Sequence, residues 1–329
     1  MKVLIFEFIT GGGFAQKDLP ESLFNEGLLM LNALVKDFDT LPSIQLTVML
    51  DWRCKELEFP DNIEIVWVSS EQSVYDLLPT LIELSDVVWP ISPEMDSELQ
   101  QISLLVESKF KRLLNSSSQA VTICSDKLVT AEVLKKNGLA IVEAIQLDVF
   151  SGKIDDPLVI KPKDGVGCLD SHFVTTQSEF DRITALIEYK ESYIIQPYTE
   201  GETLSLSCLF RDGKTWLLCC NRQHVSIKQG RFELESCEVN ITTKHRADYQ
   251  QMIDDIAESI VGLWGYVGID IIQPKVGKPL ILEINPRLTT SYVGINQATG
   301  INVAETVVSM LDKQPVVRQT QNNQQFIIL

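Results

Sequence analysis

The sequence predicts an α/β protein, with a parallel sheet and flanking helices in its N-terminal part and an α+β arrangement in its C-terminal part. The first stretch, up to residue 118, alternates apolar strand-like runs with helical patterns, which is typical of parallel sheets. The rest of the chain is richer in strands, several of which alternate apolar and polar residues with a period of two. A serine-rich break at residues 115–118 separates the two parts.

Two strands of the N-terminal part are followed by segments that are suited to ligand binding. Ligands of parallel sheets gather at the carboxyl ends of strands. Gly11, Gly12 and Gly13 lie at one such end and residues 90–94 at another. The predicted elements are strand 3–9, helix 21–36, strands 45–50 and 63–68, helix 74–84, strand 86–89 and helix 94–107.

The C-terminal part begins with a helix whose ends are both marked in the sequence. Ser125 and Asp126 provide its N-terminal cap, and Asn137 with Gly138 stops it after Lys136. The remaining predicted elements are strands 158–163, 173–175, 193–196, 203–211, 215–225 and 232–238, and helices 179–189, 246–262 and 303–311.

Composition limits the classes of partner. The 329 residues are 45% hydrophobic and 22% charged, as in ordinary globular proteins, and suffice for two or three packed units. The net charge of −17 disfavours nucleic acid and anionic membranes as partners. Seven cysteines without a CxxC pair indicate a reducing, cytoplasmic location, and no apolar run approaches the roughly 20 residues that span a bilayer. The three histidines, at positions 172, 224 and 245, lack metal-ligand spacing.

The apolar run at residues 280–287 contains the most informative pattern in the chain. Glu283 and Asn285 are two residues apart on a predicted strand, so their side chains share a face. A short turn at residues 273–279 folds the preceding strand back and brings Asp270 beside them. Two carboxylates and an amide oxygen suit Mg²⁺, above all Mg²⁺ that carries nucleotide phosphates. The alternative is a solvated strand end followed by a turn.

A second pattern combines a lysine with a glycine loop. Lys161 follows an apolar strand, so its ammonium group emerges partly buried and needs a partner such as phosphate. Gly165 and Gly167 let the backbone approach phosphate oxygens. The spacing matches neither dinucleotide-binding nor P-loop fingerprints. A glycine turn in a hairpin is the competing interpretation.

Further polar residues accompany these two patterns. The strand at 193–196 enters a linker whose backbone could bind an adenine edge, with Gln196 near the exocyclic amine and Glu202 near the ribose. The alternative interpretation is that this segment only connects two subdomains and binds no ligand. Lys127, in the first turn of a helix, is by default a solvated lysine. Arg222 shares a strand face with His224, and Arg287 follows the metal-like pair; cations of this kind neutralise charge in phosphoryl transfer.

In this order, these motifs resemble the ATP-grasp superfamily of carboxylate–amine ligases over about residues 118–311. The resemblance implies an ATP-grasp fold with an N-terminal pre-ATP-grasp domain. It also implies ATP and Mg²⁺ as cofactors, with two metal ions and Mn²⁺ as an alternative. A protein-kinase interpretation fails because the chain lacks HRD and DFG motifs. The domains expected are 1–118, 119–196, 197–315 with the metal site, and a tail at 316–329.

The resemblance implies a role for each motif. Lys127 and Lys161 would contact the phosphates, while Gln196 and the backbone of Tyr198 would hold adenine. Thr203 stands where many family members place the ribose carboxylate, and the adjacent Glu202 is the substitute. The other implied roles are γ-phosphate closure by Asp164, Gly165 and Gly167, one Mg²⁺ on Asp270 and Glu283, and a second on Glu283 and Asn285. Arg287 would stabilise the acyl phosphate or anchor a carboxylate, and Arg222 would offer a second cation to the acid substrate.

Residues 6–13 and 221–223 look more like one branch, the tyramine–L-glutamate ligase family of methanofuran and methylofuran synthesis. This implies small-molecule substrates: L-glutamate, activated at its γ-carboxylate, and tyramine as acceptor. Glu7 would capture the amine, and Phe8 and Phe14 would pack on its aryl ring. Gly11, Gly12 and Gly13 would offer backbone N–H groups to the substrate.

Several alternatives stay open at this point. The N-terminal glycine segment reads equally well as a core strand followed by a turn. The chain could join another acid–amine pair, or bind nucleotide without turnover. The oligomeric state is open, with a homodimer among the options.

Overall fold

The computed structural model describes residues 1–329 and contains two sheets. The first sheet has five parallel strands in the order β3-β2-β1-β4-β5. Its elements are β1 (Lys2–Glu7), a π-helix (Ile9–Gly13), α1 (Glu21–Asp39), β2 (Gln45–Asp51), β3 (Ile63–Val68), α2 (Val74–Leu84), β4 (Val87–Ile91), α3 (Glu98–Ser108) and β5 (Arg112–Leu113).

Strand β1 is central because apolar residues occupy both of its faces. Val3 and Ile5 pack in one apolar cluster with α1, whereas Leu4 and Phe6 pack in another with α2 and α3. Strands covered on both sides have continuous rather than alternating apolar sequences. The predicted parallel sheet with helices on its faces is therefore confirmed.

The second sheet is antiparallel and runs β14-β13-β10-β11-β12-β8-β7-β9-β6, with β15 paired to β12. One backbone bridge, Arg231 to His172, joins its two halves. Its strands and helices are α4 (Ser118–Ser125), α5 (Lys127–Lys136), β6 (Ile145–Gln146), β7 (Leu158–Pro162), β8 (His172–Val174), α6 (Gln177–Thr184), β9 (Tyr193–Pro197), β10 (Glu202–Arg211), β11 (Lys214–Lys228), β12 (Arg231–Val239), α7 (Arg246–Ser259), β13 (Gly265–Gln273), β14 (Leu280–Asn285), α8 (Tyr292–Thr299), α9 (Val303–Ser309) and β15 (Gln325–Ile328).

The predicted helix after the serine-rich break corresponds to α5, whereas α4, which precedes it, was not predicted. The two helices are separated at Asp126, whose carboxylate accepts hydrogen bonds from the N–H groups of Leu128 and Val129. The segment expected to be a polar tail adds strand β15 to the sheet by pairing with β12. Helix α8 was also missed, because its eight residues are too few for a clear helical period.

The three glycines after β1 are a correction to the sequence analysis. They lie in the π-helix, where the N–H of Gly13 donates to the carbonyl of Phe8. A Cβ atom at Gly11 would approach Phe6 to 2.9 Å, and one at Gly12 would approach Val68 to 2.7 Å. The glycines therefore allow close packing against the apolar core. This agrees better with the alternative interpretation, a core strand followed by a turn, than with a substrate-binding loop.

No helix in the structure combines the length and apolar character needed to cross a membrane.

A buried carboxylate joins the two parts of the molecule. The side chain of Asp37 in α1 accepts hydrogen bonds from the Tyr292 hydroxyl at 2.6 Å and the Asn296 amide at 2.7 Å, both on α8. The Asp37 carbonyl accepts a third from Asn302 at 2.9 Å. These contacts fix α1 against the C-terminal part and so set one wall of the cavity described below.

We predict that Asp37→Ala lowers the free energy of unfolding by about 1–3 kcal/mol, because it leaves the buried Tyr292 hydroxyl and the half-buried Asn296 amide without their acceptor. Urea titration monitored by circular dichroism measures this. Asp39→Ala, a change at an exposed position of the same helix, is the matched control. Equal stabilities for the two variants would show that the Asp37 contacts do not hold the parts together.

Candidate active site

A cavity of about 340 Å³ lies where α1, the glycine loop and the antiparallel sheet meet. It has an apolar end, a charged middle and a far end that is lined by both apolar and charged residues. Its lining includes Glu7, Ile9, Leu23, Glu26, Gly27, Met30, Ile91, Pro93, Lys127, Val142, Val159, Lys161, Gly165, Gly167, Cys168, Gln196, Tyr198, Thr203, Ser205, Gln223, Asp270, Ile272, Leu282, Glu283, Asn285, Arg287 and Thr290.

The predicted metal-binding residues converge. Asp270 on β13 is the register partner of Glu283 on β14, and both side chains line the cavity. Asp270 accepts hydrogen bonds from the Asn285 amide at 3.1 Å and the Gln223 amide at 3.0 Å. The antiparallel pairing expected from the short turn therefore brings two carboxylates and one amide to the same point.

The electrostatics of this pair fit a divalent cation. Desolvation and the neighbouring charge of Glu283 raise the pKa of Asp270 above its ordinary value. Two like charges at one partly buried point are costly, and an opposite charge relieves that cost. The structure contains no group of three or more His, Cys, Asp or Glu side chains that could hold a metal. The donor set is thus two carboxylates and an amide oxygen, which suits Mg²⁺ that keeps phosphate or water ligands.

Two buried lysines face these carboxylates. Lys127 and Lys161 are only 7% and 8% exposed. Lys127 donates to the Gly165 carbonyl at 2.6 Å and lies 3.2 Å from Glu283, so it is not the solvated lysine of the default interpretation. Lys161 has no ion-pair partner, and burial with the nearby Lys127 charge lowers its pKa to about 8. A buried cation of this kind favours an anionic ligand.

The glycine loop covers the charged middle of the cavity. Gly165 and Gly167 line it, and Gly167 has a positive φ of 57°, which glycine adopts readily. Asp164 does not line the cavity, so the structure leaves it outside the phosphate site that was expected to include it.

The apolar end lies beside the linker after β9. Val142, Val159, Ile272 and Leu282 surround it, with Gln196 at its edge donating to the Val142 carbonyl at 3.2 Å. These walls suit a flat aromatic base.

Tyr198 lines the same end of the cavity, but part of its backbone is already engaged. Its N–H donates to the Pro157 carbonyl at 2.9 Å. The expected contact of adenine with the Tyr198 backbone is therefore left to its carbonyl oxygen.

Arg222 and Glu202 lie outside the cavity, contrary to their predicted roles. Arg222 projects from the opposite face of the sheet, where it pairs with Glu238 at 2.8 Å and Glu202 at 3.2 Å. Adjacent strand residues point to opposite faces, so Gln223 and Thr203 line the cavity in their place. The sequence indicated which residues share a face but not which face borders the cavity.

The far end of the cavity holds Arg287 and Glu7. Arg287 is clamped by Glu94, with Nε–Oε1 and Nη2–Oε2 distances of 2.9 and 2.7 Å. The carboxylate of Glu7 is 2% exposed and accepts two 2.6 Å hydrogen bonds from the backbone and hydroxyl of Thr10. Burial raises the pKa of Glu7 to about 7.

The aromatic residues expected beside the substrate are elsewhere. Phe8 and Phe14 pack edge to face with each other, at 6.0 Å between ring centroids, and neither lines the cavity. Gly11, Gly12 and Gly13 are also absent from its lining.

Several polar residues of the site were missed. Ser205 lines the cavity, is buried and is the register partner of Asp270. Gln223 and Thr203 could have been found by choosing the other face of their strands. Glu94 lies in the strand-end segment 90–94 that the sequence singled out, but no role was assigned to it. Glu26 gave no signal, because single acidic residues on helices usually face solvent.

The chain belongs to the ATP-grasp family: the profile of the ATP-grasp domain matches residues 124–291, and that of a pre-ATP-grasp domain matches residues 44–121. This defines the class of protein, an ATP-dependent carbon–nitrogen ligase, and confirms the predicted family and fold.

Two curated relatives match almost the whole chain. The tyramine–L-glutamate ligase of Methanocaldococcus jannaschii is 28% identical over 309 residues, which cover 93% of this chain and 88% of the relative. That of Methanocaldococcus fervens is 28% identical over 312 residues, covering 93% and 92%.

Solved structures agree on the fold. An ATP-grasp superfamily protein from Archaeoglobus fulgidus superposes with a TM-score of 0.76 at 23% identity, covering 100% of this chain and 92% of the other. An L-amino acid ligase from Bacillus licheniformis gives a TM-score of 0.67 at 16% identity, with coverage of 96% and 75%.

We predict that Lys161→Ala weakens ATP binding and slows acyl-phosphate formation, because a buried, unpaired cation facing the triphosphate is lost. The expected loss of transition-state stabilisation is ~2–4 kcal/mol. Calorimetric titration with an ATP analogue and steady-state kinetics measure both effects.

Lys163→Ala is the matched control, since Lys163 pairs with Asp126 at 3.5 Å outside the cavity. Unchanged affinity and rate in Lys161→Ala would assign Lys161 a purely structural role.

Proposed function

We propose that this enzyme uses ATP to join the γ-carboxylate of L-glutamate to the amino group of tyramine, in the biosynthesis of methanofuran or methylofuran. The observation that carries the proposal is a single cavity that brings together Lys127, Lys161, Asp270, Glu283 and Asn285. The similarity to tyramine–L-glutamate ligases over 93% of the chain supports the substrates.

The residues of the cavity divide between nucleotide and metal. The apolar end with Gln196 accepts the base, and the two lysines with the glycine loop accept the phosphates. Asp270, Glu283 and Asn285 would hold Mg²⁺, which supplies charge neutralisation on the transferring phosphoryl group.

In the first step the glutamate carboxylate attacks the γ-phosphorus of ATP. The bond between that phosphorus and the bridging oxygen breaks, and ADP leaves with the electron pair. Lys161 and Arg287 are placed to balance the negative charge that develops, and Glu94 keeps Arg287 in a fixed orientation through two hydrogen bonds. The protein contributes positioning and electrostatics rather than a nucleophile.

In the second step the amine attacks the acyl carbon of the acyl phosphate. A carbon–nitrogen bond forms, and phosphate leaves with the electron pair of the carbon–oxygen bond. Closure of the glycine loop over the cavity would keep water from this activated intermediate.

A different acid–amine pair is the second candidate, favoured by one observation. The aromatic side chains expected to pack on the tyramine ring lie outside the cavity. Binding without turnover is disfavoured, since all five phosphate-facing and metal-facing residues point into one cavity.

We predict that the protein incubated with L-glutamate, tyramine and Mg²⁺-ATP releases ADP and forms γ-glutamyltyramine. Mass spectrometry of the product, with fragmentation to separate γ- from α-linkage, identifies it. Omitting each component in turn is the control. Amide formation from another acid–amine pair, with no γ-glutamyltyramine, would contradict the substrate assignment and leave the ligase class intact.

A further inference from the structure

One face of helix α1 lines the far end of the cavity. Leu23, Glu26, Gly27 and Met30 follow the i, i+3, i+4, i+7 spacing that places side chains on one side of a helix. Ile9, Ile91 and Pro93 line the same end of the cavity. The result is an apolar recess with a single accessible carboxylate, that of Glu26.

Glu26 differs from the other carboxylates of the site in its partners. Asp270 is bound by two amides, and Glu283 pairs with Lys127. Glu7 is engaged by Thr10 and covered by Gly27, where a Cβ atom would come within 2.7 Å of its carboxyl group.

Glu26, by contrast, forms no ion pair. It accepts one long hydrogen bond, from the Thr290 hydroxyl at 3.3 Å. Most of its capacity to accept hydrogen bonds is therefore free for a ligand.

The position of Glu26 adds to this contrast. Its Oε1 atom lies 3.7 Å from the point where a Cβ of Gly167 would stand, in the loop over the phosphates. Thr290, which donates a hydrogen bond to Glu26, lies three residues after Arg287 in the chain. The positive charge of Arg287 also acts on the Glu26 carboxylate. A carboxylate between the phosphate loop and the acyl-phosphate arginine would repel anionic substrates, so its natural partner is a cation.

We propose that Glu26 is a catalytic residue that binds the ammonium group of the acceptor amine and accepts its proton, while Leu23 and Met30 contact the apolar body of the amine. This deepens the proposed function and rests on it. The assignment moves amine capture from Glu7, whose carboxylate is already engaged, to a residue that the sequence patterns did not indicate.

The chemistry requires such a group. An ammonium ion has no lone pair, so it must lose one proton before it attacks the acyl carbon. Glu26 takes that proton; the neutral amine then forms the carbon–nitrogen bond, and the departing phosphate takes the second proton. Burial raises the pKa of Glu26 above its ordinary value, which makes the carboxylate a better proton acceptor.

The test compares two nucleophiles on the same acyl phosphate. Tyramine arrives as a cation, whereas hydroxylamine is largely neutral at neutral pH and converts acyl phosphates to hydroxamates. With L-glutamate and Mg²⁺-ATP present, we expect Glu26→Gln to lower kcat/KM for tyramine roughly 10- to 100-fold, as expected for a lost charge-assisted hydrogen bond. Hydroxamate formation should stay at the wild-type level.

Glu21→Gln, at an exposed position on the same helix, is the matched control and should behave as wild type with both nucleophiles. Unchanged tyramine kinetics in Glu26→Gln, or an equal loss with both nucleophiles, would overturn the assignment of Glu26 alone. A wild-type enzyme that makes no hydroxamate from glutamate would overturn the proposed function and this assignment with it.

Discussion

Two like-charged, partly buried carboxylates lie opposite each other on neighbouring strands, and the other polar contacts of the site compensate for this pairing. Asp270 and Glu283 are register partners, and burial with mutual repulsion raises the pKa of Asp270. In a low-dielectric interior such a pair is stable only with compensating partners. Amides of Asn285 and Gln223 supply part of this compensation and Lys127 supplies another part. A divalent cation would complete it.

The three cations of the site differ in whether they have an ion-pair partner, and this difference indicates where an anionic ligand is needed. Lys127 is held by Glu283 and the Gly165 carbonyl, and Arg287 is held by Glu94, so both are fixed before any ligand arrives. Lys161 is equally buried but lacks a partner. A site with fixed neighbours and one unmatched cation is preorganised for an anion, which is the arrangement that stabilises phosphoryl transfer without reorganisation.

The sequence predicted the parts of the site that depend on local pattern. The two-residue period placed Glu283 and Asn285 on one face, and the short turn brought Asp270 beside them. It failed where the answer depended on tertiary contacts. Whether Arg222 or Gln223 lines the cavity depends on which face of β11 borders it, and that is determined by how the sheet packs rather than by the local sequence. The glycines after β1 looked like a ligand loop, yet they are required by close contacts with core side chains.

We propose that Asp270, Glu283 and Asn285 hold the metal and that the phosphates lie between Lys161 and Arg287. The most direct measurement is a crystal structure with Mn²⁺ and a non-hydrolysable ATP analogue, in which anomalous scattering locates the metal. We expect an anomalous peak within coordination distance of Asp270 and Glu283, with the γ-phosphate beside Lys161. A peak remote from both carboxylates, or an analogue bound outside the cavity, would contradict it.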